Sequence, residues 1–120
     1  MKKFTIRVDK SIEDSIKIFN KFGVNSLVVL DKNDKYLGTL TNGDIRKGIL
    51  KSRSIKSKIA KLYNKKSTFF YEKNYSEKDL KKIFLDKGFD LIPILKKNNK
   101  LLRTIQIKDL IKKTHTSRKS

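Results

Sequence analysis

The spacing of apolar residues along this chain changes in an order that is then repeated. Phe4, Ile6 and Val8 alternate with Thr5 and Arg7, the period of a strand with one buried face, and predict a strand from Phe4 to Val8. From Ile12 the spacing lengthens to that of a helix, with Ile12, Ile16 and Phe19 on one stripe. Ser11 holds the N-cap position with Asp14 three residues later, as in a capping box, and Gly23 ends the helix. The unbroken run Leu27-Val28-Val29-Leu30 predicts a buried strand. Asp31 to Lys35 predicts a turn, Tyr36 to Leu40 its hairpin partner, and Asn42 to Leu50 a second helix.

The order then starts again. Thr68 to Tyr71 predicts a strand, Ser76 to Lys87 a helix with Leu80, Ile83 and Phe84 inward, Leu91 to Leu95 and Leu101 to Ile105 two strands, and Ile107 to Lys113 a last helix. Ser11 to Asp44 aligns without a gap on Ser76 to Asp109 at an offset of 65, with about 13 of the 34 pairs identical, which marks an internal duplication. Between the copies, Ile55, Ile59, Leu62 and Tyr63 recur at helical spacing and predict a lysine-coated connecting helix. The expected division is repeat one over 1–53, connecting helix and linker over 54–66, repeat two over 67–113, and a fraying tail over 114–120. Each half is too small to bury a convincing core alone, so the halves should pack together, and their seam is a natural place for a ligand cleft. Pro93 cannot donate to a ladder and reads as an edge or bulge feature.

Composition narrows the function. The chain has no cysteine, which excludes disulfides, Cys-ligated metals and a thiol nucleophile. Its apolar runs are far shorter than the roughly 18 residues of a spanning helix, and Met1-Lys2-Lys3-Phe4 leads into polar residues rather than a signal-peptide core, so no membrane partner and a cytoplasmic location are expected. Lys and Arg number 31 against 12 Asp and Glu, a net charge of +19 that attracts anions. Most of this charge is lysine dispersed through every segment. The exception is Ile45 to Tyr71, which has no acidic residue and carries Arg46, Lys47, Lys51, Arg53, Lys56, Lys58, Lys61, Lys65 and Lys66. His115 has no partner ligands, and no Walker loop, nucleophile elbow or paired carboxylates mark an enzyme.

The β-α-β-β-α order occurring twice, with Gly38-Thr-Leu-Thr-Asn-Gly-Asp44 and Leu91-Ile-Pro-Ile94, resembles the CBS domain pair, or Bateman module, over nearly the whole chain. The resemblance implies an α/β (α+β) fold of tandem repeats with pseudo-two-fold symmetry, a regulatory role without catalysis, and association as a homodimer. The family's ribose-binding pattern, Ser or Thr followed three residues later by Asp between the third strand and second helix, falls on Thr41 and Asp44. More narrowly, Leu37 to Leu50 resembles the CBS pair in front of bacterial sugar nucleotidyltransferases, which implies such a catalytic domain in cis or in trans. Nothing of that domain occurs before Ser120, so the expectation is a regulatory piece or a stand-alone module.

The chemistry of these positions agrees with what the resemblance implies. A carboxylate at Asp44 can accept from both hydroxyls of a ribose, and Thr41 adds a hydroxyl. The free N–H groups opening the helix, with Arg46 or Lys47, can face a phosphate, and Asn25, Ser26 and Val28 on the second strand could flank an adenine. The expected ligand is an adenine nucleotide (AMP, ADP or ATP) or another purine nucleotide, with no cofactor required. Capping alone would also explain Thr41 and Asp44, because Ser11 and Ser76 open the same pattern. In the second copy Gln106 replaces Thr41, Asp109 keeps the acid, and Arg103 replaces Gly38. Arg103 could fill a second site or meet a phosphate there. Phe69, Phe70, Tyr71 and Tyr75 read as core or dimer contacts before a base-stacking platform. Two other classes stay open: a nucleic-acid-binding module using the basic stretch, and a scaffold without ligand.

Overall fold

The computed structural model describes residues 3–52 and 54–110, and it contains two three-stranded sheets of one design. The first repeat runs β1 (Thr5–Arg7), α1 (Ile12–Phe22), β2 (Ser26–Leu30), β3 (Tyr36–Thr41) and α2 (Asn42–Ser52). The second runs β4 (Phe70–Tyr71), α3 (Glu77–Lys87), β5 (Leu91–Leu95) and β6 (Leu101–Gln106), and residues 107–110 are helical. In each sheet the middle strand pairs in parallel with the strand before the helix and antiparallel with its hairpin partner. Arg53, the rest of the expected last helix, and the tail with His115 lie outside the described residues.

The same local code shapes both copies. Ser11 and Ser76 accept from the amides of Asp14 and Asp79 at 3.2 Å, and each aspartate accepts in return from its serine's amide, so both helices open on a closed capping box. Gly23 and Gly88 close them in the left-handed region, at φ 63° and 68°, where a side chain would be strained. The hairpin turns use Asp34 and Asn99, again one offset apart and again left-handed, residues whose short polar side chains tolerate that region.

Three apolar clusters hold the molecule. One belongs to the first repeat (Ile6, Ile12, Phe19, Leu27, Leu40, Ile59) and one to the second (Leu80, Phe84, Ile92, Ile94). The third joins Val28 and Leu30 of β2 to Leu91 and Leu95 of β5 and Leu101 of β6, which forms the seam between the repeats. β2 and β5 therefore bury side chains on both faces, which is why they read as unbroken apolar runs. Around the seam, Tyr36 donates to the carbonyl of Asn99 through its amide at 2.9 Å, and Leu101 donates to that of Asp34 at 3.2 Å.

The structure departs from the sequence reading in three places. The connecting helix does not form: between the repeats there is one 3-10 turn, Ile59–Lys61, within an irregular strap. The carbonyls that a helix would use are taken elsewhere, since those of Ser57 and Ile55 accept the free amides of Ile12 and Glu13 in the first turn of α1. Ser52 and Ser54 side chains also bond the local backbone, which competes with helix. Second, β4 is only Phe70–Tyr71. In the first repeat the amide of Val28 donates to the carbonyl of Phe4 at 2.7 Å, and its counterpart Pro93 has no N–H to give, so that end of the pairing is lost. Third, Pro93 lies on the middle strand, not an edge, at the point where short β4 leaves that side unpaired. The aromatic group packs: Phe69 meets Tyr36 and Tyr71 at 5.1 and 5.4 Å, and Phe70 meets Tyr75 at 5.8 Å.

Candidate functional site

Thr41 is the last residue of β3 and Asp44 stands in the first turn of α2, so the sheet delivers one and the helix the other to the same edge of the first repeat. They close a third capping box. The amide of Asp44 donates to Thr41 Oγ1 at 3.1 Å, and the amide of Thr41 donates to Asp44 Oδ2 at 2.9 Å. Capping engages one carboxylate oxygen; Asp44 Oδ1 takes no hydrogen bond from the described residues. The capping and ligand readings of this pair are therefore compatible in the geometry.

A cleft of about 220 Å³ opens at this box. Ser26, Thr39, Thr41 and Asp44 line it from the first repeat, Asn64, Ser67 and Thr68 from the strap, and Phe89 and Leu91 from the second repeat. A neighbouring cleft of about 320 Å³ shares Ser26, Thr41 and Phe89 with it and adds Asn25, Asn42, Gly43, Arg46, Gly88 and Asp90. The first has one carboxylate and no cation on its walls; the second contributes Arg46 and the carboxylate of Asp90, whose Oδ2 accepts the Asn25 amide. A hydroxyl- and amide-rich chamber with one acid, an apolar wall and a nearby guanidinium suits a ligand carrying neighbouring hydroxyls, a flat ring and an anionic end.

The strap reaches this place because β3 lets it approach. Thr39 and Asn64 exchange two backbone hydrogen bonds, at 3.1 and 2.8 Å, so the strap adds a short bridge to the open edge of β3. A β-carbon on Gly38 would collide with the Asn64 carbonyl and fall 2.9 Å from the Tyr63 ring, so glycine is required there by close approach. Beyond the bridge, Tyr36 and Ser67 share a hydroxyl contact of 2.6 Å, and burial raises the Tyr36 phenol above its ordinary value against the opposing effect of that bond.

Of the positions read from sequence, Thr41, Asp44, Asn25, Ser26 and Arg46 line the two clefts and Lys47 and Val28 do not. Val28 is wholly buried in the seam and its amide is already given to Phe4, so it has nothing to offer a ring. Lys47 is exposed on α2. Asn25 is fixed by its neighbours: its amide donates to Asp90 Oδ2 at 2.9 Å, and its carbonyl accepts the Asn42 amide at 3.1 Å. In the second copy, the amide of Gln106 donates to Asp109 Oδ2 at 2.9 Å, which repeats half of the box. Arg103 is exposed and donates to the Tyr75 hydroxyl at 2.5 Å. Neither Asp109 nor Arg103 lines the two clefts.

The strap residues and Phe89 and Leu91 were not read from the sequence. A signal for Leu91 was present, because the offset of 65 carries Ser26 onto Leu91, and residues near a pseudo-two-fold axis meet their own counterparts. Among the described residues, no group of His, Cys, Asp and Glu could hold a metal ion, and no helix is long and apolar enough to cross a membrane.

Comparison with known proteins places this geometry. Residues 1–51 match the family model of the CBS domain. An inosine-5'-monophosphate dehydrogenase of Aquifex aeolicus is 24% identical over 109 residues, covering 91% of this chain, which spans 22% of that relative's length. The structure of a CBS domain pair/ACT domain protein from Thermotoga maritima superposes with a TM-score of 0.77 at 13% identity, over 94% of this chain and 88% of the other. The structure of CBSX2, solved in complex with AMP, superposes with a TM-score of 0.80 at 15% identity, over 95% and 88%. At such identities the two structures carry the fold and no more.

Proposed function

We propose, from the premise that residues 1–51 are a CBS domain and that the chain takes the fold of a CBS pair, that it binds a purine nucleotide of the AMP type beside Thr41 and Asp44 and regulates an enzyme through that occupancy. The observation that carries this reading is the Asp44 carboxylate, one oxygen engaged in capping and the other without a partner among the described residues, on the wall of a cleft rich in hydroxyls. Asp44 Oδ1 accepts from the ribose, Phe89 and Leu91 flank the base, and Arg46 meets phosphate. One lining guanidinium matches one phosphate group better than three.

Occupancy has mechanical consequences because the walls come from three pieces of chain. A ligand touching the first repeat, the strap and the second repeat favours the arrangement in which all three are in reach, and any group that senses their spacing senses the ligand. The regulated enzyme is proposed to handle nucleotides. The stretch Leu37 to Leu50 supports a sugar nucleotidyltransferase, in cis or in trans, whereas the relative described above is by name an inosine-5'-monophosphate dehydrogenase. A homodimer in the cytoplasm belongs to the same proposal.

The test is a thermal-shift panel with AMP, ADP, ATP, GMP and CMP at low and high salt. Ligand at 100 times its dissociation constant stabilises by about 2.7 kcal/mol, worth several degrees in a domain of this size. The reading expects a selective rise with AMP that survives salt. Equal rises with every polyphosphate, or none, overturn it.

A further inference from the structure

The cationic charge of this chain is poorly compensated, because Lys and Arg number 31 against 12 Asp and Glu. Asp14, Asp44, Asp79 and Asp109 are engaged at helix N-termini, and Asp31 accepts the amides of Asn33 and Lys35 in its own turn. Arg7 forms an ion pair with Asp34, and Lys56 forms one with Glu13. Within the acid-free stretch from Ile45 to Tyr71, Lys56 is the described cation that takes part in one of these pairs.

The fold packs part of that stretch, the strap, against α2. Leu62 of the strap packs against α2 where Gly48 has no side chain, so the strap crosses the helix there. Lys47 and Lys51 flank Gly48 on α2, Lys61 precedes Leu62 in the strap, and these three together with Lys58, Lys65 and Lys66 are all exposed. Ile59 is wholly buried and Leu62 and Tyr63 are half-buried, so the strap turns its apolar side chains in and its ammonium groups out. By contrast α3 interleaves its lysines with Glu77, Asp79 and Asp86.

We propose that this face of α2 and the strap binds the phosphodiester backbone of a nucleic acid without reading its sequence, a function separate from the nucleotide cleft. Spaced ammonium groups neutralise successive phosphates and release their counterions. A lipid surface fits less well, because interfacial binding needs a continuous apolar face, and among the described residues here the exposed large apolar side chains are Leu50 and Ile55.

The experiment measures fluorescence anisotropy of two labelled DNA duplexes of unrelated sequence between about 50 and 200 mM salt. One variant carries Lys51→Glu, Lys58→Glu, Lys61→Glu and Lys66→Glu; its control carries Lys78→Glu, Lys81→Glu, Lys82→Glu and Lys87→Glu, with the same net charge. The proposal expects both duplexes to bind alike. In the strap variant affinity should fall at least about tenfold and the salt slope should flatten by about 3 to 4, four phosphate contacts at 0.9 each, with a much smaller change in the control. Asp44→Asn should bind the duplexes as the parent does. If charge reversal perturbs the circular dichroism spectrum, glutamine replaces glutamate at the same positions and the same ranking is required. Equal losses in the two variants, no binding at the lowest salt, or tighter binding to phosphatidylcholine–phosphatidylserine vesicles than to DNA overturns it.

Discussion

The amide of Asn25 donates to the carboxylate of Asp90 at 2.9 Å, and these two residues hold the same position in the two repeats. A second bridge between counterparts, Lys35 with Lys100, closes the opposite end of the seam. The Asn25–Asp90 bond also borders the outer cleft. Replacing Asp90 by alanine removes a charge-assisted acceptor at a half-buried position, for which a cost of about 1 kcal/mol is expected. Urea denaturation checks the value, and hydrogen exchange at the Asn25 and Asn42 amides should quicken while the interior of β2 stays protected.

Gly38 makes room for the strap, so Gly38→Ala tests whether the strap is held by β3. A methyl group there must displace the Asn64 carbonyl, and overpacking of this kind costs about 1 to 3 kcal/mol. The expected signature is faster exchange of the Thr39 and Asn64 amides, with nucleotide binding weakened because Asn64, Ser67 and Thr68 wall the cleft.

Thr41→Ala removes the hydroxyl that caps α2 and should destabilise by about 1 kcal/mol, as measured by chemical denaturation. Thr41→Ser keeps an acceptor and should recover most of that loss.

Acid should weaken the fold through specific carboxylates. The Ser11 amide and hydroxyl hold the Asp14 carboxyl below its ordinary value of 3.8, the Lys35 amide does the same for Asp31, and Lys56 lowers Glu13 from 4.5. A folded-state value below the unfolded one contributes stability that is complete above the unfolded value and lost as pH falls through the folded one. Melting temperature should therefore hold steady above about pH 5 and drop below about pH 4. Asp14→Asn should melt lower at pH 6 and show a shallower acid limb.

The elements were legible where one local rule decides them. Ser11 with Asp14, Ser76 with Asp79, and the glycines that follow set both helices to the residue, since capping boxes and left-handed closures are short-range chemistry. The strap was misread as helix because Ile59, Leu62 and Tyr63 do turn inward at helical spacing. Its backbone, however, is claimed by partners far along the chain, the first turn of α1 and the edge of β3, and sequence spacing carries no trace of these. The site was half legible for the same reason. Thr41 and Asp44 are local and were read; Asn64, Ser67 and Phe89 reach the cleft through tertiary packing.

The central claim is that Asp44 serves a ligand as well as a helix, and calorimetric titration of AMP into the parent and Asp44→Asn tests it most directly. Asparagine keeps an oxygen to accept the Thr41 amide and replaces the outer oxygen by a donor, so the cap survives while the acceptor for ribose is lost. The account predicts that the variant melts within a few degrees of the parent and binds AMP at least about tenfold more weakly, a loss of about 1.4 kcal/mol. Undiminished AMP binding by a folded Asp44→Asn protein would contradict it and leave the pair as a helix cap alone.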